Sequence, residues 1–194
     1  MFAKLLEAKL SGIVRLTPEQ VAILEAHYEI LMRWNRVLNL TSVRSLEEVV
    51  ERHYCESLFV GIHLPADPIR IADVGSGAGF PGFPIAVLRP DSRVTLIEAH
   101  ARKAVFLRES SRALGNIQIL AQRAETVEER FDVVVSRAVS YKELTPILKK
   151  MTDRADLLTG AEAPMGELGF MWEDPVALPW GSQRFLRIGV SRET

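Results

Sequence analysis

The chain has only one cysteine, Cys55. That excludes an intramolecular disulfide and a cysteine-rich zinc site, and a reducing cytoplasm is the simplest setting. It has no excess of charge of either sign: 24 Lys and Arg stand against 25 Asp and Glu, a formal net charge of −1. Bulk charge therefore neither requires nor excludes a nucleic-acid partner, and any such contact must come from local clusters. No apolar run approaches the length of a membrane span, and the start MFAKLLEAKLSGIVRL lacks a sustained apolar stretch followed by a small-residue cleavage site. Membrane and secreted proteins are excluded as expectations, and the chain is read as a cytoplasmic monomer. Its 4 His come with no second ligand at metal spacing, so no metal site is expected. No fixed-period repeat and no low-complexity tract is present. At 194 residues there is room for one full domain and a small appendage, and a two-domain dehydrogenase would be cramped.

What is present falls into two patterns. From Thr17 to about Val60, apolar positions recur at helical spacing: Val21, Leu24, Tyr28, Leu31 and Met32, then Val49, Val50, Tyr54 and Leu58. Thr17-Pro18-Glu19-Gln20 reads as a helix start, with a hydroxyl cap and proline at the first helical position. Pro65 and Pro68 end this unit, predicting an N-terminal helical segment over 1–66. Beyond it, short apolar runs alternate with helical stretches. IRIADV (69–74), RVTLIE (93–98), IQILA (117–121) and FDVVVS (131–136) read as buried strands, with helices around 80–89, 101–114 and 141–151. Such alternation predicts βαβ units, an α/β domain over 67–194 with a mostly parallel sheet and helices on both faces. Two further strands are read at Ala155–Leu158 and in RFLRIGV (184–190).

The first strand runs into VGSGAGFPG, with Gly75, Gly77 and Gly79 alternating. A strand, glycines and then a helix present bare N–H groups to which a ligand can come close, beyond the carboxyl ends of the strands. A dinucleotide loop needs its third glycine one position later, where this chain has Phe80, and a phosphate-binding P-loop needs a Gly-Lys-Ser/Thr that is absent. Glu98 ends the second strand about 20 residues on, where a carboxylate can accept bonds from both hydroxyls of a ribose. That fits nicotinamide adenine dinucleotide or S-adenosylmethionine. A plain tight turn and a solvated strand end are the structural alternative.

VGSGAGFPGFP followed by IAVLRPDSRVTLIEAHARKAVFLRE resembles the RsmG family, also called glucose-inhibited division protein B, as do WNRVLNLTSVR (34–44), RHYCESL (52–58) and FDVVVSRAVS (131–140). The similarity runs from Leu16 to Lys150. It implies a class I methyltransferase fold that binds S-adenosyl-L-methionine, yields S-adenosylhomocysteine and methylates N7 of a guanine in the decoding-region loop of 16S rRNA, in the 30S subunit or an assembly precursor. Carried over residue by residue, it places Gly75, Ser76, Gly77, Gly79 and Phe80 against the cofactor. It puts Ala124 and Glu125 at the adenine end, and Arg137 at the junction of cofactor and guanine as the catalytic candidate.

The residues agree with such chemistry. Guanine N7 carries an in-plane lone pair and no proton, so alignment, not a general base, is what the site must supply. A cytosine C5 target would need a thiolate, and Cys55 lies far upstream in the helical segment. An exocyclic amine would call for an Asp/Asn-Pro-Pro-aromatic turn, where this chain reads Ser136-Arg137-Ala138-Val139. Arg137 can donate two bonds to guanine O6 or pair with a phosphate, or else form an ion pair with Asp73 or Glu98. Arg102, Lys103, Arg108 and Arg112, with Arg123 beyond, offer phosphate contacts or simply a solvated basic face. Trp34, Asn35 and Asn39 read first as packing and turn formers, with a base-stacking platform as the alternative, and His53 and Ser57 read first as packing or lid elements, with lining of the cofactor side as the alternative.

The pattern breaks downstream. The family's Lys-Gly pair is Thr159-Gly160 here, while Arg184 matches its C-terminal arginine and Glu56 stands where Asp is usual. Three functions are thus in play: an active rRNA methyltransferase, a cofactor- and RNA-binding module with weak or lost catalysis, and a nicotinamide-dependent oxidoreductase.

Overall fold

The computed structural model describes residues 1–163 and 165–191. Residues 164 and 192–194, inside the predicted 67–194 unit, lie outside the described residues.

Helix α1 (Phe2–Leu10) opens the N-terminal helical segment ahead of the helical spacing that starts at Thr17, and its Phe2, Leu6 and Leu10 recur every four residues and are all buried. Each such side chain contributes about 1.5–3 kcal/mol when withdrawn from water, enough to hold a short helix that would not persist alone. Helix α2 (Pro18–Leu38) begins where the sequence reading put it. Thr17 Oγ1 accepts from the Gln20 N–H at 3.2 Å, Gln20 Oε1 accepts from the Thr17 N–H at 2.9 Å, and Pro18 is the first helical residue. It stops at Asn39, in the left-handed region at φ 47°. Then come α3 (Leu46–Val49), a π-helical turn (Val50–Cys55) and α4 (Glu56–His63), without a break in the chain's helical course.

The sheet follows: β1 (Arg70–Val74), β2 (Arg93–Ile97), β3 (Ile117–Leu120), β4 (Val133–Arg137), β5 (Arg154–Gly160), β6 (Phe170–Trp172), β7 (Val176–Ala177) and β8 (Arg184–Ser191). Helices α5 (Gly82–Leu88), α6 (Ala101–Ser110) and α7 (Tyr141–Met151) connect the parallel strands. The order is β3-β2-β1-β4-β5-β8-β6, with β7 also on β8; the first five strands are parallel and β8 is antiparallel to β5. All four predicted strands are present, and so are both downstream ones, the last pairing along the whole of β5; β3, however, is not buried as predicted, because it is the edge strand and has a neighbour on one side only.

Alternate residues of each strand feed two cores, as the period of two requires. Ile71, Leu96 and Val135 face one side, where Phe83 of α5, Phe106 of α6 and Leu24, Tyr54 and Leu58 of the N-terminal helices join one continuous cluster. Ala72, Ile97 and Val134 face the other, against Leu144, Ile147 and Met151 of α7. The helices of residues 1–66 thus form one hydrophobic layer with the sheet. Because β1 to β4 are parallel, their carboxyl ends share one edge, and every loop that follows them converges there. Among the described residues no helix is long and apolar enough to cross a membrane.

Candidate active site

The glycine turn leaves β1 at this edge and is tied to β2: the Gly75 and Ser76 N–H groups both donate to the Ile97 carbonyl, at 3.0 and 3.1 Å. The Ser76 carbonyl then accepts from Gly79 and Phe80 at 2.7 and 3.0 Å, closing the turn. Gly75, Gly77 and Gly79 have φ of 73°, 57° and 89°, the left-handed region that disfavours side chains. Their surroundings differ. A Cβ on Gly75 would lie 2.6 Å from Val139 Cγ2, whereas at Gly77 the nearest atom is the Gly75 carbonyl oxygen at 3.9 Å. The turn is packed from behind at Gly75 and open in front at Gly77.

Glu98 faces that opening. It is 8% exposed, its Oε2 accepts from the Gly77 N–H at 2.9 Å and its Oε1 from the His100 N–H at 2.7 Å. Each carboxylate oxygen so used keeps a lone pair for a ligand hydroxyl. An open glycine cradle beside a fixed carboxylate fits the ribose of an adenosine-bearing cofactor. Ala124 and Glu125 lie in a short 3-10 turn that follows β3 along the same edge.

Behind the turn, Asp73 is fully buried. Its Oδ2 accepts from the Gly82 N–H at 2.8 Å, at the start of α5, while Oδ1 has no partner. Burial pushes its carboxyl up to about 7, against the pull of the Gly82 N–H. His27 of α2 is also buried there, stacked on Phe83 at 4.1 Å, with Nδ1 2.8 Å from the Tyr54 hydroxyl. Burial lowers its pKa to about 3, so it is a neutral packing element.

Phe80, the residue in the register of a dinucleotide loop's third glycine, is 3% exposed and anchors the turn to the helical layer. The His53 ring stacks on it at 4.7 Å and Tyr54 meets it edge-on at 5.1 Å. The Arg137 guanidinium lies over the same ring at 5.5 Å. Arg137 ends β4 and donates through Nη1 to the Arg52 carbonyl of the π-helical turn. Among the described residues it forms no ion pair with Asp73 or Glu98. Burial lowers its pKa to about 10 and the Glu56 carboxylate raises it, so it stays cationic at neutral pH.

Arg137 opens on a cavity of about 870 Å³ lined also by Arg52, Tyr141, Thr159 and Arg184. Thr159, in place of the family lysine, is half-buried with Oγ1 unpartnered. Arg184 is not free: Nη2 is 2.5 Å from Oε2 of Glu56, which is completely buried. Burial pushes the Glu56 carboxyl up to about 7, opposed by Arg184, Arg137 and Arg52. The sequence reading missed this pairing, since 128 positions separate the partners. Arg102, exposed, and Lys103, half-buried, start α6 just past Glu98 but do not line the cavity.

Trp34, Asn35, Asn39 and Ser57 of the helical layer are structural. Trp34 Nε1 donates to Glu109 at 3.2 Å and its ring meets Phe106, joining α2 to α6. Asn35 brackets the Thr41 backbone with two bonds, and Asn39 caps α2. Ser57 Oγ donates to the His53 carbonyl. Cys55 is fully buried, and burial pushes its thiol up to about 12, which removes it as a nucleophile. A second cavity, of about 1110 Å³, lies at the turn between α1 and α2 and includes none of these residues.

The family model described as rRNA small subunit methyltransferase G matches residues 20–159. A protein named ribosomal RNA small subunit methyltransferase G from Halorhodospira halophila is 42% identical over 141 residues, covering 71% of this chain and 66% of that protein. One of the same name from Aquifex aeolicus is 41% identical over 144 residues, covering 71% and 74%. The chain thus spans just under two thirds of the length of the Halorhodospira protein. Among solved structures, magnesium protoporphyrin IX methyltransferase from Synechocystis, with bound S-adenosylmethionine, superposes with a TM-score of 0.63 at 13% identity, over 92% of this chain and 99% of that one. Ribosomal protein L11 methylase from Lactobacillus delbrueckii gives 0.56 at 15% identity, over 70% and 77%. These two likenesses show the fold, that of class I S-adenosylmethionine-dependent methyltransferases.

Proposed function

We propose, for a chain that belongs to the small-subunit rRNA methyltransferase G family, that it transfers a methyl group from S-adenosylmethionine to N7 of a guanine in the decoding-region loop of 16S rRNA. The observation that carries this reading is the juxtaposition at one sheet edge of an open glycine cradle with Glu98 and an arginine-lined cavity, joined through Phe80 and Arg137. Bound cofactor supplies an electrophilic sulfonium methyl. The chain's residues do the rest by placement. Glu98 accepts the ribose hydroxyls, the 75–79 turn lets the ligand approach the backbone, and Ala124 with Glu125 borders the adenine end. Arg137, cationic and held against Phe80, donates to guanine O6 and so turns N7 toward the cradle. No side chain has to remove a proton, and neither Cys55 nor His27, both enclosed in the core, lines the cavity. The basic start of α6, Arg102 and Lys103, lies beside the cradle and would meet flanking phosphates. An rRNA substrate implies a cytoplasmic protein.

Incubation of under-methylated 30S subunits with labelled S-adenosylmethionine tests this directly, the expected result being label in 16S rRNA that maps to a single guanine. Label absent from the rRNA despite binding of S-adenosylhomocysteine would favour a binding module without catalysis, the reading motivated by Thr159. Thermal stabilisation by NAD and not by S-adenosylhomocysteine would restore the oxidoreductase, which the burial of Phe80 in the loop disfavours.

A further inference from the structure

Glu56 is an unusual residue to bury. It opens α4, has no exposed surface, and its Oε1 finds no partner. A carboxylate taken out of water is costly unless paired, and here Arg184 supplies the pair through Oε2 at 2.5 Å. Three guanidinium groups, those of Arg52, Arg137 and Arg184, line the neighbouring cavity, and Glu56, fully buried behind that lining, attracts all three, while Asp73 also attracts Arg137 and Glu48 lies 3.9 Å from Arg52. Two of the guanidinium groups are held by the segment that carries Glu56. The π-helical turn just before it presents the Arg52 carbonyl to Arg137, and Glu56 takes Arg184 from β8. Turns of this kind recur where a helix must re-aim groups at a site.

We infer that Glu56 is a positioning residue for the RNA substrate: its ion pair aims Arg184, and its charge keeps Arg184 and Arg137 together at one cavity for the phosphate and base of the target nucleotide. This rests on the rRNA methyltransferase reading. The carboxylate lowers the mutual repulsion of the guanidinium groups but leaves the cavity cationic, so an anionic ligand is still favoured. Without it, Arg184 loses its fixed direction, and RNA must order it at the time of binding.

The test compares Glu56→Gln, Glu56→Asp and Arg184→Lys in the full chain, measuring affinity for unmethylated 30S subunits, KM and kcat, affinity for S-adenosylhomocysteine, and thermal stability. For Glu56→Gln, subunit affinity falls and KM rises by about tenfold, the scale of one lost charge-assisted bond, while kcat and S-adenosylhomocysteine affinity stay close to wild type. Glu56→Asp, keeping the charge, recovers most of the loss. Arg184→Lys weakens subunit binding in the same direction, and combining it with Glu56→Gln adds little, because both remove one interaction. Unchanged subunit binding by a folded Glu56→Gln protein overturns the inference, as does a matching loss of S-adenosylhomocysteine affinity, or full additivity in the double variant. If Glu56→Gln does not fold, unchanged subunit binding by Arg184→Lys overturns it. Wild-type protein that fails to label 16S rRNA, with subunit affinity still falling on Glu56→Gln, would remove the methyltransferase reading and leave Glu56 as an RNA-positioning residue.

Discussion

Asp73→Asn should make this protein more stable at alkaline pH than at acid pH, relative to wild type. Asp73 has a pKa of 3.8 as a free side chain and about 7 when buried beneath the glycine turn. A raised pKa means that the folded state binds the proton more tightly, so stability from this group is complete below the unfolded value and is lost as pH rises toward 7. The full span of the shift corresponds to about 4 kcal/mol, at about 1.36 kcal/mol per unit. Between about pH 5 and about pH 8 the loss assigned to Asp73 is about 2.5 kcal/mol, because part of the shift has already been spent at the lower pH. Asparagine keeps the acceptor for the Gly82 N–H and cannot ionise, so its stability lacks this slope. Glu56, also raised to about 7, bends the wild-type curve the same way. The difference between the two proteins removes that shared contribution. Urea denaturation at both pH values, read as the difference in unfolding free energy, gives the answer. An equal difference at the two pH values would refute the reasoning. It would mean that Asp73 ionises in the folded protein as easily as in the unfolded chain, and that Arg137 offsets its burial.

Gly82→Ala should lower stability by about 1–3 kcal/mol through overpacking, since its Cβ would stand 2.3 Å from Leu96 Cδ2 and 2.8 Å from Asp73 Oδ2. Gly115→Ala, with nothing within 4 Å of its Cβ, is the matched control, and equal urea midpoints for the two variants would show that the site near Leu96 relaxes freely. Arg137→Ala should reduce methyl transfer by about tenfold to a hundredfold, the worth of one two-bonded guanine contact, and leave a cooperative thermal transition. Loss of that transition would instead assign Arg137 to the packing of Phe80 against the helical layer.

Much of the fold was legible because its signals are local. The run of residues 69–74 is apolar whether or not the chain is folded, and alternation of such runs with helical stretches dictates a parallel sheet. Thr17 and Gln20 bond within one turn, so the start of α2 could be read directly from its residues. Helix α1 has its period in the sequence, but three apolar residues in a short segment become a helix only when a core receives them. The π-helical turn left no trace at all, because its residues suit an α-helix equally well.

The candidate site divides along the same line. By itself the sequence determined the glycine turn and the carboxylate that faces it. Gly75, Gly77 and Gly79 need φ values that side chains disfavour, and Glu98 follows one βα unit later, a spacing fixed by the length of a strand and a helix. Only the tertiary structure decided the company of Arg137. Whether it paired with a carboxylate or lay on Phe80 beside the Arg52 carbonyl depended on how the helical layer seats on the sheet. The burial of Glu56 with Arg184 depended on β8 returning antiparallel along β5. Backbone conformation is set by near neighbours, whereas the cost of burying a charge is set by whatever distant segment the fold brings against it.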